Sequence, residues 1–503
     1  MYRPAQNRER AVIHSLKVIG ITGSHSGVGV VDNPHRVKID RGPRPFQILQ
    51  QDGSGFAAIR LAGRWQPDSK SDLVQARITH EDDQTVVLGW ESAQLQGGDA
   101  WQHVFEAVPA GGLYRIATRV VLDGTPAEWG LGGDVIHHVG VGDLWVIAGQ
   151  SNAAGYGRGA IVDPPELGVH ILKNNETWDV AAHPLNDATG NSHPNTEIAN
   201  PGHSPYLSFA RILRASLGYP IGLIQTSLGN SRLSQWNPAE NPDAPLYQNL
   251  LHCVRLAGGQ VRGMLWYQGE SDTNPDLAES YERRFAQFVG RLRSDLNAPT
   301  LPIIVAQLNR YTGRQSPEEH RGWSQVREAQ RNARKLPNVA VVPTLDLPLS
   351  DDCHTSPAGN LMLANRKADA ALSMVGGKRR MPQIPDVVEA VLAIDSRSID
   401  LRFAAVSSRL QFLAPGETDF AVEDEKGFAI VQRAECVAPD RVRLDLDRAV
   451  SANARIHGGF GANPTASLRD VEENTPALAF YGLACTGSAR IRTENQGIMS
   501  PLL

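Results

Sequence analysis

Short runs in which apolar and polar residues alternate dominate the first part of the chain. Four of these runs cover residues 55–61, 73–79, 85–90 and 113–122, and Gly, Pro and Asp residues separate them. A period of two residues between turn residues is typical of β-strands. The pattern predicts an N-terminal β-rich domain over residues 1–140.

The last part of the chain has the same character. Strand-like runs cover residues 387–394, 398–403, 410–413, 429–437 and 441–446. They predict a C-terminal β-rich domain over residues 379–503, and we expect both ends to resemble β-sandwiches.

The middle of the chain alternates between two kinds of pattern. Apolar runs typical of buried strands cover residues 143–148, 169–172, 221–225, 263–267, 303–307 and 339–342. Between them, apolar residues with helical spacing predict helices over residues 205–217, 245–257, 275–296, 318–335 and 357–373. This alternation predicts an α/β domain over residues 141–378, with a parallel sheet flanked by helices. Active sites of such domains lie beyond the carboxyl ends of the strands.

Charge and hydropathy exclude several classes of protein. The 503 residues contain 49 Lys and Arg against 54 Asp and Glu, a net charge of −5. This balance gives no basic surplus for a nucleic acid, and no apolar run is long enough to span a membrane. The N-terminus lacks the apolar core of a signal peptide, so we expect a cytoplasmic protein, or a secreted or periplasmic one if a signal has been removed. The sequence gives no indication of the oligomeric state.

The cysteines and histidines do not form a recognisable metal motif. Four cysteines without a CxxC pair are expected to be free thiols, with Cys436–Cys485 the one bridge worth testing. His183, His193 and His203 lie ten residues apart in an Asn- and Pro-rich segment, residues 175–205. Metal ligation there is an alternative, but a polar loop over the active-site cleft is favoured. We expect neither a metal nor a cofactor.

A serine follows the first central strand. Gly149-Gln150-Ser151-Asn152 comes directly after residues 144–148, and a serine at this position is either a nucleophile or a helix cap. The pattern is G-x-S-x-A, which differs from the G-x-S-x-G elbow of α/β-hydrolases.

Polar residues also follow two later strands. Gly229 lies in the loop that follows the third strand. Its backbone N–H can either approach an oxyanion or belong to an ordinary turn. Gln268 and Glu270 end the fourth strand, as part of either a site or a structural polar network.

An Asp-x-x-His motif follows the last central strand. Asp351 can curl back to accept the Nδ1–H of His354, which leaves Nε2 free to take a proton from a serine. Such a motif alone also occurs in surface turns.

Together these motifs are far more specific. Gly149-Gln150-Ser151-Asn152, the segment 266–272 (WYQGESD) and Asp351-Asp352-Cys353-His354 each follow a different predicted strand of one sheet. Their order and spacing resemble the SGNH hydrolases, and more closely the sialate O-acetylesterase branch of carbohydrate esterases. The resemblance covers residues 110–375 and 455–482. It departs from the family at Asn230-Ser231, where Gly-Thr is usual, and at Thr355, where Pro is usual.

The resemblance implies a flavodoxin-like SGNH sandwich and a Ser-His-Asp acyl-enzyme mechanism that removes O-acetyl groups from sugars or polysaccharide side chains. Ser151 would be the nucleophile, His354 the base and Asp351 the residue that orients it, with Glu270 as an alternative acid. Ser151, Gly229 and Gln268 would form the oxyanion hole. The expected partner is an acetylated carbohydrate, whether sialic acid, xylose or a glucan side chain. The alternative is a non-catalytic carbohydrate-binding protein on an esterase scaffold.

Two further segments have competing interpretations. Residues 155–160 match G-x-G-x-x-A, but they start several residues after the strand and precede no predicted helix, which argues against a dinucleotide site. Trp236 is either a platform for a sugar ring or an ordinary core residue.

Overall fold

Three hydrophobic cores organise the chain in the computed structural model. The model describes residues 36–66, 72–126, 132–191, 193, 197, 202–376, 383–413 and 418–486. One core is formed by apolar residues from 37 to 141, a second by residues of the middle of the chain, and a third by residues from 387 to 480. The N-terminal segment that bears on the signal-peptide expectation lies outside the described residues.

Most strands of the N-terminal region pair antiparallel, with alternate residues buried along the longer strands, while β1 and β2 pair with β10 in parallel. Its longest pairings join β3 to β7 and β4 to β8. The strands are β1 (Val37–Arg41), β2 (Ile48–Gln50), β3 (Phe56–Trp65), β4 (Leu73–His80), β5 (Val86–Ser92), β6 (Gln94–Leu95), β7 (Ala100–Pro109), β8 (Gly111–Leu122), β9 (Thr125–Pro126) and β10 (Gly132–Gly149).

Strand β10 crosses the predicted boundary between the first two domains without interruption. Its first half pairs with β8 of the N-terminal region, and its second half pairs with two strands of the central sheet. From Val139 to Gly149 every residue of the strand is buried. The backbone therefore runs in one extended segment from the N-terminal core to the end of the central sheet.

The central sheet has the predicted parallel strands. They are β11 (Val169–Leu172), β13 (Ile221–Gln225), β14 (Gly263–Tyr267), β15 (Ile303–Ala306) and β16 (Val339–Val342), with the short β12 (Trp178–Val180) at one edge. The strand order is β12-β11-β13-β10-β14-β15-β16, and only β12 is antiparallel to its neighbour. Because all side chains of these parallel strands are buried, they read in the sequence as continuous apolar runs.

Helices cover the central sheet. They are α1 (Ser151–Ala154), α2 (Tyr206–Leu217), α3 (Pro245–Leu256), α4 (Pro275–Ala278), α5 (Tyr281–Asp295), α6 (Pro317–Asn332) and α7 (Pro357–Met374). Three short 3₁₀ turns cover Leu233–Gln235, Glu270–Asp272 and Ala333–Lys335. Helix α6 starts at a capping box, in which Ser316 and Glu319 each accept a backbone N–H of the other.

The prediction of one helix over residues 275–296 was wrong. The structure has two helices, α4 and α5, with a break at Glu279–Ser280. The carbonyl of Leu277 accepts the Ser280 hydroxyl at 3.2 Å and the Arg284 guanidinium at 3.5 Å. The Leu277 carbonyl therefore accepts side-chain donors where a continuous helix would supply a backbone N–H. The spacing of apolar residues in the sequence does not reveal these side-chain bonds.

The C-terminal region is formed by three small sheets. Their strands are β17 (Asp386–Leu392), β18 (Ser398–Ala404), β19 (Leu410–Phe412), β20 (Phe420–Asp424), β21 (Gly427–Ala429), β22 (Val431–Ala438), β23 (Arg441–Leu446), β24 (Arg455–Gly458), β25 (Leu468–Asp470), β26 (Thr475–Pro476) and β27 (Phe480–Ala484).

The C-terminal region is tied to the central sheet by buried polar contacts. The Gln307 side chain exchanges two hydrogen bonds of 2.9 Å with the backbone of Ala479. Arg327 of α6, which is fully buried, donates to the carbonyls of Gly461 and Ala462 as well as to two carbonyls of its own region. Residues 459–480 therefore complete the packing of the central region.

Candidate active site

The loops that follow β10, β13, β14 and β16 meet at one edge of the central sheet. Gly149 makes the turn out of β10 with a φ of +132°, and a Cβ at this position would lie 2.1 Å from the carbonyl oxygen of Tyr267. Only glycine fits there without moving β14. The turn places Ser151 at the first residue of α1, beyond the strand ends.

Ser151, His354 and Asp351 form a hydrogen-bonded chain. Nε2 of His354 lies 2.9 Å from the Ser151 hydroxyl, and Nδ1 lies 2.7 Å from Oδ2 of Asp351. The three side chains come from opposite ends of the domain, 203 residues apart in sequence. With Nδ1–H donating to the carboxylate, Nε2 is the ring nitrogen that can accept the serine proton.

The loop backbone holds Asp351 in this orientation. Oδ1 accepts the N–H groups of Cys353 at 3.0 Å and His354 at 2.8 Å. Partial burial alone would raise the pKa of Asp351, but these N–H groups and the His354 ring hold it below its usual value. The aspartate is therefore present as a carboxylate that faces the imidazole.

Tyr156 covers one face of the imidazole. The two rings are stacked, with centroids 4.9 Å apart and planes 24° from parallel. Burial and the nearby Glu197 carboxylate raise the pKa of Tyr156 to about 12, so its hydroxyl stays protonated as a donor. Tyr156 therefore packs against one face of the ring whose two nitrogens face Ser151 and Asp351.

Glu270 does not contact His354, as it would have to if it were the acid that orients the histidine. Its Oε1 accepts the side-chain amide of Asn152 at 2.7 Å, while Asp351 occupies the position next to Nδ1 of His354. Oε2 of Glu270 is buried without a hydrogen-bond partner. Burial raises the pKa of this carboxyl group, which favours its protonated form.

Gly229 reaches the site, but its N–H is engaged by a residue that the sequence analysis did not select. It donates to Oε2 of Glu197 at 3.0 Å, and Glu197 is 4% exposed. A Cβ on Gly229 would lie 3.0 Å from that carboxylate oxygen and 3.1 Å from the Tyr156 hydroxyl. Glu197 comes from an irregular loop without a hydropathy pattern, so no sequence signal marked it.

Gln268, which the family resemblance places in the oxyanion hole, lies in the interior of the structure. Its side-chain nitrogen faces Asp272 at 2.7 Å, the Ser231 carbonyl at 3.1 Å and Gln150 at 3.2 Å, and its side-chain oxygen accepts the Tyr281 hydroxyl. The residue is fully buried and does not line the cleft at Ser151. Three protein acceptors already surround its two amide hydrogens.

An open cleft of about 560 Å³ lies over Ser151 and His354. Its walls include the stacked pair of Tyr311 and Trp323, with ring centroids 5.7 Å apart and planes 8° from parallel. Three carboxyl groups, those of Glu197, Glu270 and Glu319, also line it. The proposed nucleophile Ser151 and the aromatic pair therefore line the same cleft.

The three histidines of the segment 175–205 separate into two groups. His183 and His203 both contact Oδ2 of Asp163, at 2.9 and 3.3 Å, while His193 contacts Glu176 at 3.1 Å. His252 of α3 joins the second group, 2.9 Å from the same Glu176 oxygen. Residues 192, 194–196 and 198–201 of that loop lie outside the described residues.

The first group is best explained by hydrogen bonding. The side-chain amide of Asn360 donates to Nδ1 of His203 at 3.3 Å, so Nε2 of the neutral ring carries its hydrogen; this nitrogen lies 3.3 Å from Oδ2 of Asp163, outside hydrogen-bond geometry. Burial alone would raise the pKa of Asp163, but His183, His203 and Ser208 hold it well below its usual value. A metal ion would require the opposite tautomer of His203.

The remaining candidates have structural explanations. Trp236 is fully buried, edge-on to Trp266, and its Nε1 donates to Ser231, so the core alternative is confirmed. Gly155 of the G-x-G-x-x-A segment ends α1 in the left-handed conformation, and Gly157 pairs with His203. The four cysteines are free, as predicted, and Cys436–Cys485 is not a disulfide. None of the described helices has both the length and the apolar character needed to cross a bilayer.

Comparison with known proteins gives a consistent result. Residues 141–373 match the family described as carbohydrate esterase, sialic acid-specific acetylesterase. A probable carbohydrate esterase of Arabidopsis thaliana is 30% identical over 255 residues, which cover 46% of this chain and 90% of that protein. The human sialate O-acetylesterase is 24% identical over 322 residues, and the match spans 54% of this chain and 59% of that protein.

One solved structure is similar over most of the chain. It is a carbohydrate acetylesterase from Xanthomonas citri, with a TM-score of 0.62 and 21% sequence identity. The match covers 88% of this chain and 99% of that one, so the likeness in fold includes regions outside the central sheet.

Proposed function

Because the chain belongs to the carbohydrate esterase family of sialic acid-specific acetylesterases, we propose that it hydrolyses O-acetyl esters of a carbohydrate through a serine acyl-enzyme. The observation that carries the proposal is the continuous hydrogen-bonded chain from Ser151 through His354 to Asp351. The proposal extends to the SGNH type of catalytic domain, with a flavodoxin-like order of its parallel strands, over residues 141–378 between two β-rich domains.

In the proposed acylation step, Ser151 Oγ attacks the acetyl carbonyl carbon while Nε2 of His354 takes the hydroxyl proton. The negative charge of the tetrahedral intermediate falls on the former carbonyl oxygen. When the intermediate collapses, the bond from carbon to the sugar oxygen breaks and His354 returns the proton to that oxygen. Asp351 stabilises the imidazolium that exists between these two transfers.

Deacylation repeats the sequence with water. His354 takes a proton from the water molecule, the oxygen of the water attacks the acetyl-serine, and Ser151 leaves with the proton returned from His354. The products are acetate and the free sugar hydroxyl.

We assign the backbone N–H groups of Ser151 and Gly229 to the oxyanion. The second of these donates to Glu197, so binding of the ester carbonyl has to displace that carboxylate from Gly229. A donor that is useful in the transition state must point at the position where charge develops, and the assignment is supported by Gly229 and Ser151 both lining the cleft.

The test is removal of the nucleophile. Ser151→Ala should lower kcat for a chromogenic acetate ester by several orders of magnitude, while Ser294→Ala, an exposed serine of α5, should leave kcat unchanged. A fluorophosphonate should label Ser151, as located by peptide mass spectrometry. Wild-type protein that binds acetylated glycans but releases no acetate would instead indicate the non-catalytic carbohydrate-binding alternative.

A further inference from the structure

Asn152, the residue after the proposed nucleophile, is bonded to both peptide groups that flank His354. Its Nδ2 donates to the carbonyl of Cys353 at 3.1 Å, and its Oδ1 accepts the N–H of Thr355 at 3.0 Å. These two groups belong to the peptide units immediately before and after the Cα of the histidine. One side chain therefore fixes the backbone position of His354 relative to Ser151.

The orientation of the Asn152 amide is determined by its partners. Its Nδ2 also donates to Oε1 of Glu270 at 2.7 Å, so both amide hydrogens and the amide oxygen are engaged. A reversed amide would place its oxygen against the Cys353 carbonyl and its nitrogen against the Thr355 N–H. Asn152 is 4% exposed and does not line the cleft, so it is not placed to touch the substrate.

The two bonds of Asn152 to the backbone connect loop 351–355 to helix α1. Among the described residues they are the hydrogen bonds that do so, apart from the bond between His354 and Ser151 itself. Asp351 accepts two N–H groups of its own loop, which shapes the loop without setting its distance from the serine. The distance between histidine and serine therefore depends on Asn152.

We infer that Asn152 is a positioning residue, which holds Nε2 of His354 at hydrogen-bond distance from the Ser151 hydroxyl. The inference rests on the proposed esterase function, because it concerns the proton transfer between these two side chains. Proton transfer requires the two atoms to lie within hydrogen-bond reach, so even a small displacement of the histidine slows the reaction. Glu270 supports the same arrangement, because it holds the Asn152 amide in its orientation.

The experiment removes the Asn152 amide. Asn152→Ala should lower kcat for 4-nitrophenyl acetate about 10–10²-fold and change KM less than about threefold, because it loosens the histidine without altering the cleft lining. The matched control is Asn237→Ala. Asn237 is also a buried asparagine whose side chain joins two backbone groups, at Ala239 and Arg284, but it lies outside the cleft lining. With active sites titrated by a fluorophosphonate, the kcat of this control should match that of the wild type.

A double-mutant comparison identifies how the effect arises. If Asn152 acts through the histidine, Asn152→Ala in a His354→Ala protein should change the small residual kcat less than about threefold. A role in substrate binding or in the oxyanion hole would lower kcat by the same factor in both backgrounds, and that result would overturn the inference. If Asn152→Ala does not fold, Asn152→Asp replaces it in both backgrounds. This variant has the same shape, but its second oxygen cannot donate to the Cys353 carbonyl.

The outcomes separate this inference from the esterase function. If 4-nitrophenyl acetate is hydrolysed in a Ser151-dependent manner and the folded Asn152 variant keeps kcat within about threefold of the wild type, the inference is wrong and the esterase function stands. If the wild-type protein hydrolyses no ester at all, the proposed function fails and this inference fails with it.

Discussion

At the scale of single residues, the two carboxyl groups near His354 differ in their partners. Asp351 contacts Nδ1 of the imidazole, while Glu270 contacts Asn152. We expect Asp351→Asn to lower kcat/KM by about 10²–10⁴, because an amide in that position presents the wrong tautomer. Glu270→Gln should cost less than about tenfold, because its partner can still donate to an amide oxygen. Initial rates on a chromogenic acetate ester give the ranking, and the reverse order would make Glu270 the acid.

Gln268 should matter for stability more than for chemistry. Its buried amide connects Asp272, Ser231 and Tyr281, and truncation leaves these groups without their partner. We expect Gln268→Ala to lower the free energy of unfolding by about 2–4 kcal/mol, against almost no change for the exposed Gln260→Ala.

Two measurements test this prediction for Gln268. Urea unfolding gives the stability, and a serine-directed inhibitor is used to count the active sites so that kcat can be expressed per folded enzyme. Correctly folded Gln268→Ala should retain kcat within about tenfold. A loss of 10² or more in titrated kcat at unchanged stability would return Gln268 to the oxyanion hole.

Lys367 is a buried cation that destabilises the fold at neutral pH. It is fully buried on α7, donates to the Trp266 carbonyl at 3.3 Å, and its burial lowers its pKa to about 7. In the unfolded chain, Lys367 keeps its proton up to pH about 10.4. The unfolded state therefore binds more protons than the folded state between pH about 7 and 10, and the free energy of unfolding rises with pH over that range. Lys367→Met should raise the free energy of unfolding at pH about 7 by roughly 1–3 kcal/mol.

The advantage of the Lys367→Met variant should shrink as the pH rises. Urea unfolding of both proteins at pH about 7 and about 9.5 measures this change. An advantage that stayed constant with pH would mean that packing, and not the charge, makes the difference.

The sequence could identify a site residue only where its position in the chain also determines the direction of its side chain. Ser151 and His354 follow strands or close a local motif, so position alone indicated them. Gln268 also ends a strand, but the direction of its amide is decided by Asp272 and Tyr281, which the sequence does not place. Glu197 comes from a loop and becomes part of the site only through its contact with Gly229.

At the scale of secondary-structure elements, the turn after β10 has no room for a side chain. A Cβ on Gly149 would lie 2.1 Å from the Tyr267 carbonyl oxygen, so Gly149→Ala must move two neighbouring strands apart. We expect a loss of more than about 3 kcal/mol of stability, or no soluble protein. Gly290→Ala is the control, because that glycine is exposed on α5 with nothing near its Cβ, and it should stabilise by about 0.5–1 kcal/mol. Thermal unfolding of both variants measures the difference, and equal melting temperatures would contradict the packing argument.

The central elements were predictable because their burial is uniform. Parallel strands covered on both faces appear as unbroken apolar runs, and β11, β13, β14 and β16 were predicted with their observed bounds. The break between α4 and α5 was not predictable, because it depends on the side chains of Ser280 and Arg284, which cap a carbonyl inside an otherwise regular apolar stripe.

At the scale of the whole molecule, Arg327 joins the central and C-terminal regions. It is fully buried and donates to five backbone carbonyls, three of them at Gly459, Gly461 and Ala462. Arg327→Met leaves these carbonyls without a donor, and we expect a loss of about 3–5 kcal/mol. Residues 459–480 should then become accessible to a protease in native buffer, whereas the exposed Arg291→Met should leave digestion unchanged. Resistance of the Arg327 variant would show that the Gln307 contacts suffice.

The changes of pattern along the chain could be seen in the sequence, but the contacts between the N-terminal, central and C-terminal regions could not. Alternation of period two differs clearly from helical spacing, so the change of class near residues 140 and 379 is visible in the sequence. Contacts such as that of Gln307 with Ala479 join residues 172 positions apart, and no local pattern encodes them.

Strand β10 also sets an order of events during synthesis on the ribosome. The partners of its first half, β1, β2 and β8, all precede it in the chain, whereas the partners of its second half, β13 and β14, follow it. The emerging N-terminal region can therefore close while the second half of β10 still projects from it unpaired. The later strands β13 and β14 can then pair with this projecting end. The strand that leads to Ser151 is therefore attached to the folded N-terminal region before the other strands of the central sheet are synthesised.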